Sequence, residues 1–123
     1  MVCSCEPKAE AAPPPFKDYY CDNNATVTLQ PNQMQQIVGA SGTTMILICG
    51  YEFNPVLPAR ATFAYGADCS TNPVQFGPSP GAPAGRSIEL VSGLFFGWYV
   101  PSGNNLCVSS TDIASVTMFY SQQ

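Results

Sequence analysis

Met45-Ile46-Leu47-Ile48-Cys49, inside a longer candidate strand from Thr43 to Phe53, is apolar at every position. Successive side chains of a strand point to opposite faces, so this run leaves no face for water. It reads as a central strand covered on one side by a second sheet and on the other by more chain or another subunit. Residues Ile113 to Tyr120 carry the same message more weakly. There Ile113, Ser115, Thr117 and Phe119 interleave with Ala114, Val116, Met118 and Tyr120, which puts apolar groups on both faces.

Outward from these two runs the chain breaks into short β-type segments bounded by Gly, Pro, Asn and Ser, with no helical periodicity. Further candidate strands are Ala25 to Gln30, Gln35 to Val38, Ala61 to Tyr65, Ser87 to Val91, Gly97 to Val100 and Leu106 to Ser109. About eight short strands predict an all-β sandwich spanning residues 23–123. Pro101-Ser102-Gly103-Asn104-Asn105 reads as a hairpin turn, with Gly and Asn supplying positive φ. Asn72 to Gly85 is too rich in Pro and Gly for regular structure. It reads as a long loop, either a passive connection or a docking element whose prolines lower the entropy lost on binding.

Residues 1–22 differ from the rest: they hold six of the twelve charges, the triplet Pro13-Pro14-Pro15, and no apolar pattern. This is an extended Pro-rich arm, able to reach roughly 60 to 70 Å if fully stretched. It is either a solvated tail or a segment that lies on a neighbour, and the aromatics Phe16, Tyr19 and Tyr20 favour docking, which needs large apolar anchors.

Charged residues are 10% of the chain against 46% hydrophobic, whereas soluble domains average about 25% charged. So apolar a surface calls for a partner, which predicts oligomerisation or a larger assembly. A net charge of −4 with Lys8, Lys17, Arg60 and Arg86 as the cations excludes a nucleic-acid surface. No apolar run approaches the roughly 18 residues of a membrane span. Met1-Val2-Cys3-Ser4-Cys5 lacks the basic-then-apolar order of a secretory signal, so a soluble chain not exported by the usual route is expected. Asn24-Ala25-Thr26 matches a glycosylation acceptor that would matter only after secretion.

Cysteines stand at positions 3, 5, 21, 49, 69 and 107. With no histidine, and Cys3-x-Cys5 one residue short of a knuckle, no metal site is expected. Synthesis in a reducing cytosol favours reading Cys49 and Cys107 as small buried hydrophobes over bridged residues, with bridges after release left open. Catalysis lacks candidates. The acids beyond the arm are Glu52, Asp68, Glu89 and Asp112, and nothing in their spacing pairs them. Ion pairs of Glu52 with Arg60 or Arg86 are the simpler use, and neither an enzyme nor a cofactor is expected. Phe95, Phe96, Trp98 and Tyr99 form either a core and interface cluster or, less economically, a sugar-stacking platform.

From about Gln35 onward the chain resembles tailed-bacteriophage capsid decoration, or cement, proteins. The shared outline is the apolar strand ending in a turn (Thr43 to Tyr51), a strand with a small-residue loop containing a cysteine (Ala61 to Cys69), and a Gly/Pro stretch. Then come Gly93-Leu94-Phe95, the run Pro101-Ser102-Gly103-Asn104-Asn105-Leu106-Cys107-Val108, and a last alternating strand from Ser115 to Tyr120. The arm with Cys3, Cys5 and Cys21 lies outside that outline. The resemblance implies a jelly-roll-like β-sandwich that forms homotrimers on the outer capsid surface of a virion assembled in the host cytoplasm, clamping adjacent copies of the major capsid protein. On that reading Phe16, Tyr19 and Tyr20 carry capsid binding, Phe76 and Pro78 of the Pro/Gly loop contribute, and Phe96, Trp98, Met118 and Tyr120 bury the trimer interface. The competing reading is a carbohydrate-binding or host-adhesion module of a phage head or tail fibre, with Trp98 and Tyr99 stacking on a sugar beside Ser102, Asn104 and Asn105.

Overall fold

The computed structural model describes residues 20–83, 85–91 and 97–123. Phe16, Tyr19, Phe95 and Phe96 lie outside the described residues, as does nearly all of the arm. Ten strands follow in order: β1 (Asn23–Leu29), β2 (Gln35–Val38), β3 (Ile46–Pro55), β4 (Ala59–Gly66), β5 (Val74–Gln75), β6 (Gly81–Ala82), β7 (Ile88–Val91), β8 (Tyr99–Val100), β9 (Asn105–Ser110) and β10 (Ala114–Gln122). Among the described residues there is no helix, and so none long and apolar enough to cross a membrane.

The strands form two antiparallel sheets. The first has the order β1-β10-β3-β7 with β8 on a second stretch of β3, and the second has β2-β9-β4-β5 with β6 on β4. Without the two-residue strands β6 and β8, this is one long hairpin of pairs β1/β10, β2/β9, β3/β7 and β4/β5 wrapped around a core. The chain changes sheet at every connection except β4 to β5. That winding is a jelly roll, an eight-stranded sandwich in which each sheet covers the other's apolar face.

Side-chain alternation explains why the sheets face each other. Ala114, Val116 and Met118 of β10 are buried, while Ser115 and Thr117 between them are only half-buried. On β9 and β4, Leu106, Val108, Ala61 and Phe63 meet them from the other sheet. In β3 both Ile46 and Ile48 belong to the core, and so do Tyr51 and Phe53, two pairs that are out of step in a regular strand. The register resolves this: Phe119 pairs with Gly50 but Tyr120 pairs with Ile48, so Cys49 is an extra residue, a β-bulge that resets which side chains point inward.

Each of the eight candidate strands corresponds to an observed one. The Pro/Gly loop holds the two that were missed, because β5 and β6 pair with β4 over two residues each, too short to leave a pattern in sequence. Pro101 to Asn105 is a turn, with Asn104 N–H on the Pro101 carbonyl and Gly103 at φ 81°, but it is not a hairpin. It carries the chain from β8 in the first sheet to β9 in the second.

Cys49 and Cys107 are fully buried, as read, yet both are bridged. Cys21 pairs with Cys49 and Cys69 with Cys107. The preference for free thiols is thus corrected: the folded chain brings each strand cysteine against one 28 or 38 residues away, a proximity that spacing in sequence does not encode.

Phe63, one of the largest fully buried side chains, packs against Tyr51 and Trp98 with ring centroids 5.2 Å away in each case. Phe63→Ala is expected to cost about 3 to 5 kcal/mol, from lost transfer energy and the cavity left between the sheets. Urea denaturation of the variant beside the parent chain measures it.

Candidate functional site

The winding gathers the connections β1–β2, β3–β4, β5–β7 and β9–β10 at one end of the sandwich. Backbone bonds knit them together: Val56 N–H donates to the Ile113 carbonyl at 3.0 Å, Thr111 N–H to Arg60 at 3.1 Å, and Asn32 N–H to Ser110 at 2.7 Å. Arg60 Nη1 donates to the Ser79 carbonyl and Ser79 Oγ to the Ala61 carbonyl, so the Pro/Gly loop is held against the same end.

Here the chain exposes aliphatic side chains that its core does not use. Val56 is 63% exposed, Leu57 52% and Ile113 41%. Val56 and Leu57 sit between Pro55 and Pro58 in a three-residue connection, a turn too short to fold them inward. Arg60 and Arg86, the cations among the described residues, are exposed at this end as well. The surface is therefore an apolar prow flanked by Arg60, Arg86 and Asp112. Sequence reasoning passed over Val56, Leu57 and Ile113, although two bulky aliphatics between prolines are a usable signal.

The expected site residues fall differently. Tyr20 is 63% exposed, at the opposite end, just before Cys21. Pro78 is exposed at the prow. Phe76 is half-buried and turned inward, its ring 5.0 Å from Tyr65 and 5.4 Å from Trp98. It anchors the Pro/Gly loop to the core and presents little to a partner. Met118 is fully buried and Trp98 nearly so within one chain, which makes them core residues with no surface left for a subunit seam. Tyr120 is half-buried and packs on the same core.

Gly77 holds the loop down on Trp98. Its φ is +72°, and a Cβ added there would lie 2.3 Å from Trp98 Nε1 and 2.4 Å from Cε2. That buried Nε1 has no hydrogen-bond partner, an omission that costs roughly 1 to 3 kcal/mol. Gly77→Ala is expected to lift the loop, with a loss of about 2 to 4 kcal/mol. Because Trp98 is the single tryptophan, a red shift of its fluorescence in the folded variant reports the same event.

The carboxylates also depart from expectation. Glu52 of β3 and Glu89 of β7 are register partners on the outer face of the first sheet, joined by a hydrogen bond. Among the described residues neither arginine pairs with Glu52. The bond to Glu52, then its charge, then desolvation raise the Glu89 carboxyl above the usual range. Asp68 behaves oppositely: Ser70 N–H and Oγ–H donate to its Oδ1 at 2.9 and 2.8 Å, which holds its carboxyl below the usual range. No cluster of three or more His, Cys, Asp or Glu able to hold a metal occurs among the described residues.

A folded-state value raised for Glu89 means that its contribution is present below the ordinary glutamate value and lost as pH rises through the raised one. Glu89→Gln is therefore expected to raise Tm at pH 7 and to leave it nearly unchanged at about pH 4. Thermal melts of both chains across that range check the sign.

No family model matches the chain, and no curated protein matches it.

Proposed function

We propose that the chain is a non-enzymatic structural protein of a phage virion, which binds the outer capsid surface as a homotrimer and clamps adjacent major capsid protein subunits. The observation that carries this reading is the prow: Val56, Leu57 and Ile113 stand exposed on connections stitched to a jelly roll, with Arg60 and Pro78 beside them. A chain with so few charges keeps such a surface only for a partner. The Pro-rich arm extends the reach. It enters the sandwich through Cys21, which is tied to β3, so tension on the arm falls on an inner strand of the first sheet and not on the edge strand β1. Stabilisation is then linkage, because a ligand that binds only the assembled shell raises the shell's stability, and several joined arms add avidity.

The test mixes purified chain with mature undecorated capsids, sediments them, and counts bound copies beside the chain's own mass in solution. A trimer bound in a fixed multiple of sixty copies is the expected result. A monomer left in the supernatant overturns the reading. Leu57→Asp with Val56→Asp is expected to weaken binding at least tenfold, because two desolvated aliphatic contacts are replaced by charges, with the melt of the free chain nearly unchanged. Replacing Phe16, Tyr19 and Tyr20 by alanine separates the arm's share: binding equal to the parent removes it from the mechanism.

A further inference from the structure

The core cluster that joins the sheets contains no cysteine. Both bridges lie outside it, one on the outer face of each sheet, and their architecture is the same. Each joins a fully buried cysteine on an inner strand, Cys49 of β3 or Cys107 of β9, to a cysteine in a segment without strand structure. Cys21 lies two residues before β1, and its Sγ also sits 3.6 Å from the Leu47 carbonyl. Cys69 lies in the β4–β5 connection and, with Ala64, Cys107 and the half-buried Met34, makes a small apolar cluster apart from the core. Neither bridge links the two sheets. What they fix is the position of two surface segments, the root of the arm and the 67–73 loop.

We propose that the two bridges are latches closed after folding: the sandwich forms with its thiols reduced, and the links close by exchange with a small-molecule disulfide once the chain meets an oxidising medium. The order of events follows from access. When a segment is lifted, its own cysteine, Cys21 or Cys69, is the thiol that reaches solvent, while Cys49 and Cys107 stay on the sheet. The Cys69 thiolate attacks one sulfur of oxidised glutathione and releases one glutathione thiolate. The Cys107 thiolate then attacks the Cys69 sulfur of the mixed disulfide and expels the second, so that two protein thiols are oxidised as one glutathione disulfide is reduced. Cys21 and Cys49 follow the same course. A chain built this way reaches its shape in a reducing cytosol and gains covalent hold on its arm and loop outside it. The inference concerns the isolated chain and stands independently of what the prow docks to.

The experiment uses the full chain with Cys3→Ser and Cys5→Ser, so that the four bridged cysteines alone report. It is denatured and refolded in a phosphine reductant, followed by far-UV circular dichroism and a thermal melt, then given oxidised glutathione under native conditions and weighed by mass spectrometry. The expected result is a β spectrum and one cooperative melt in reductant, with Tm below that of the bridged chain because loops of 28 and 38 residues are no longer closed. Glutathione disulfide then restores both links and the higher Tm. Loss of the β spectrum in reductant overturns the proposal, since the bridges would then be needed to fold. Folded thiols that form bridges only after denaturation overturn it equally. In the same background Cys107→Ala is expected to stop at a glutathione adduct on Cys69. An unmodified Cys69 there sinks the proposed order of attack.

Discussion

The bulge at Cys49 is the constraint on which the rest of the structure depends. Without it β3 keeps one parity from Ile46 to Pro55, and either Ile46 and Ile48 or Tyr51 and Phe53 turn away from the second sheet. The extra residue lets all four face inward, and it places Cys49 on the outer side, where Cys21 reaches it. One inserted position thus completes the core and fixes the root of the arm. Since β3 is hydrogen-bonded to β10, β7 and β8, a shift there moves every strand of the first sheet except β1 directly.

Closure of the sandwich depends on a second, softer element. Tyr51, Phe63, Trp98 and Phe76 form a chain of tilted and edge-on aromatic contacts that ends at Gly77. Such contacts contribute about 0.5 to 1.5 kcal/mol each beyond area burial, enough to offset the unpartnered indole N–H. The Pro/Gly loop is consequently anchored on the core through Phe76 and pressed on Trp98 at Gly77, and it is surface from Gly77 to Pro78. Its ordered course fixes where Ser79 meets Arg60, and so where that guanidinium sits beside the prow.

The sequence revealed the strands and the class of fold because alternation in β10 and the all-apolar run in β3 are local patterns with a direct physical cause. The same logic could not assign faces. Met118 continues the inward alternation of Ala114 and Val116, and Trp98 packs on Tyr51 and Phe63, so both, plausible at a seam by residue type, lie in the core. Phe76 was drawn towards solvent by the prolines around it, while the aromatic cage that holds it is assembled from β3, β4 and the residue before β8. The bridges and the Glu52–Glu89 pair escaped for a related reason, since both depend on the folded chain bringing together segments far apart in sequence. Val56 and Leu57 were legible in principle, as aliphatics confined to a short Pro-flanked turn.

The exposed surface divides by what each part is committed to. The outer face of the second sheet carries the 67–73 loop, fastened through Cys69 and shaped by Asp68. The outer face of the first sheet carries the Cys21 segment at one end, the exposed Tyr99 of β8, and polar rungs, among them Thr26 with Thr117 and Glu52 with Glu89. Those rungs are hydrated at little cost, and the carboxylate pair makes the face costlier to desolvate. At the prow the balance is reversed: Val56, Leu57 and Ile113 already face water on connections joined by backbone bonds, so covering them removes apolar area. The arm's root at Cys21 lies at the other end of the sandwich, separated from the prow by the length of β1, so the two surface features are held apart by the strands themselves.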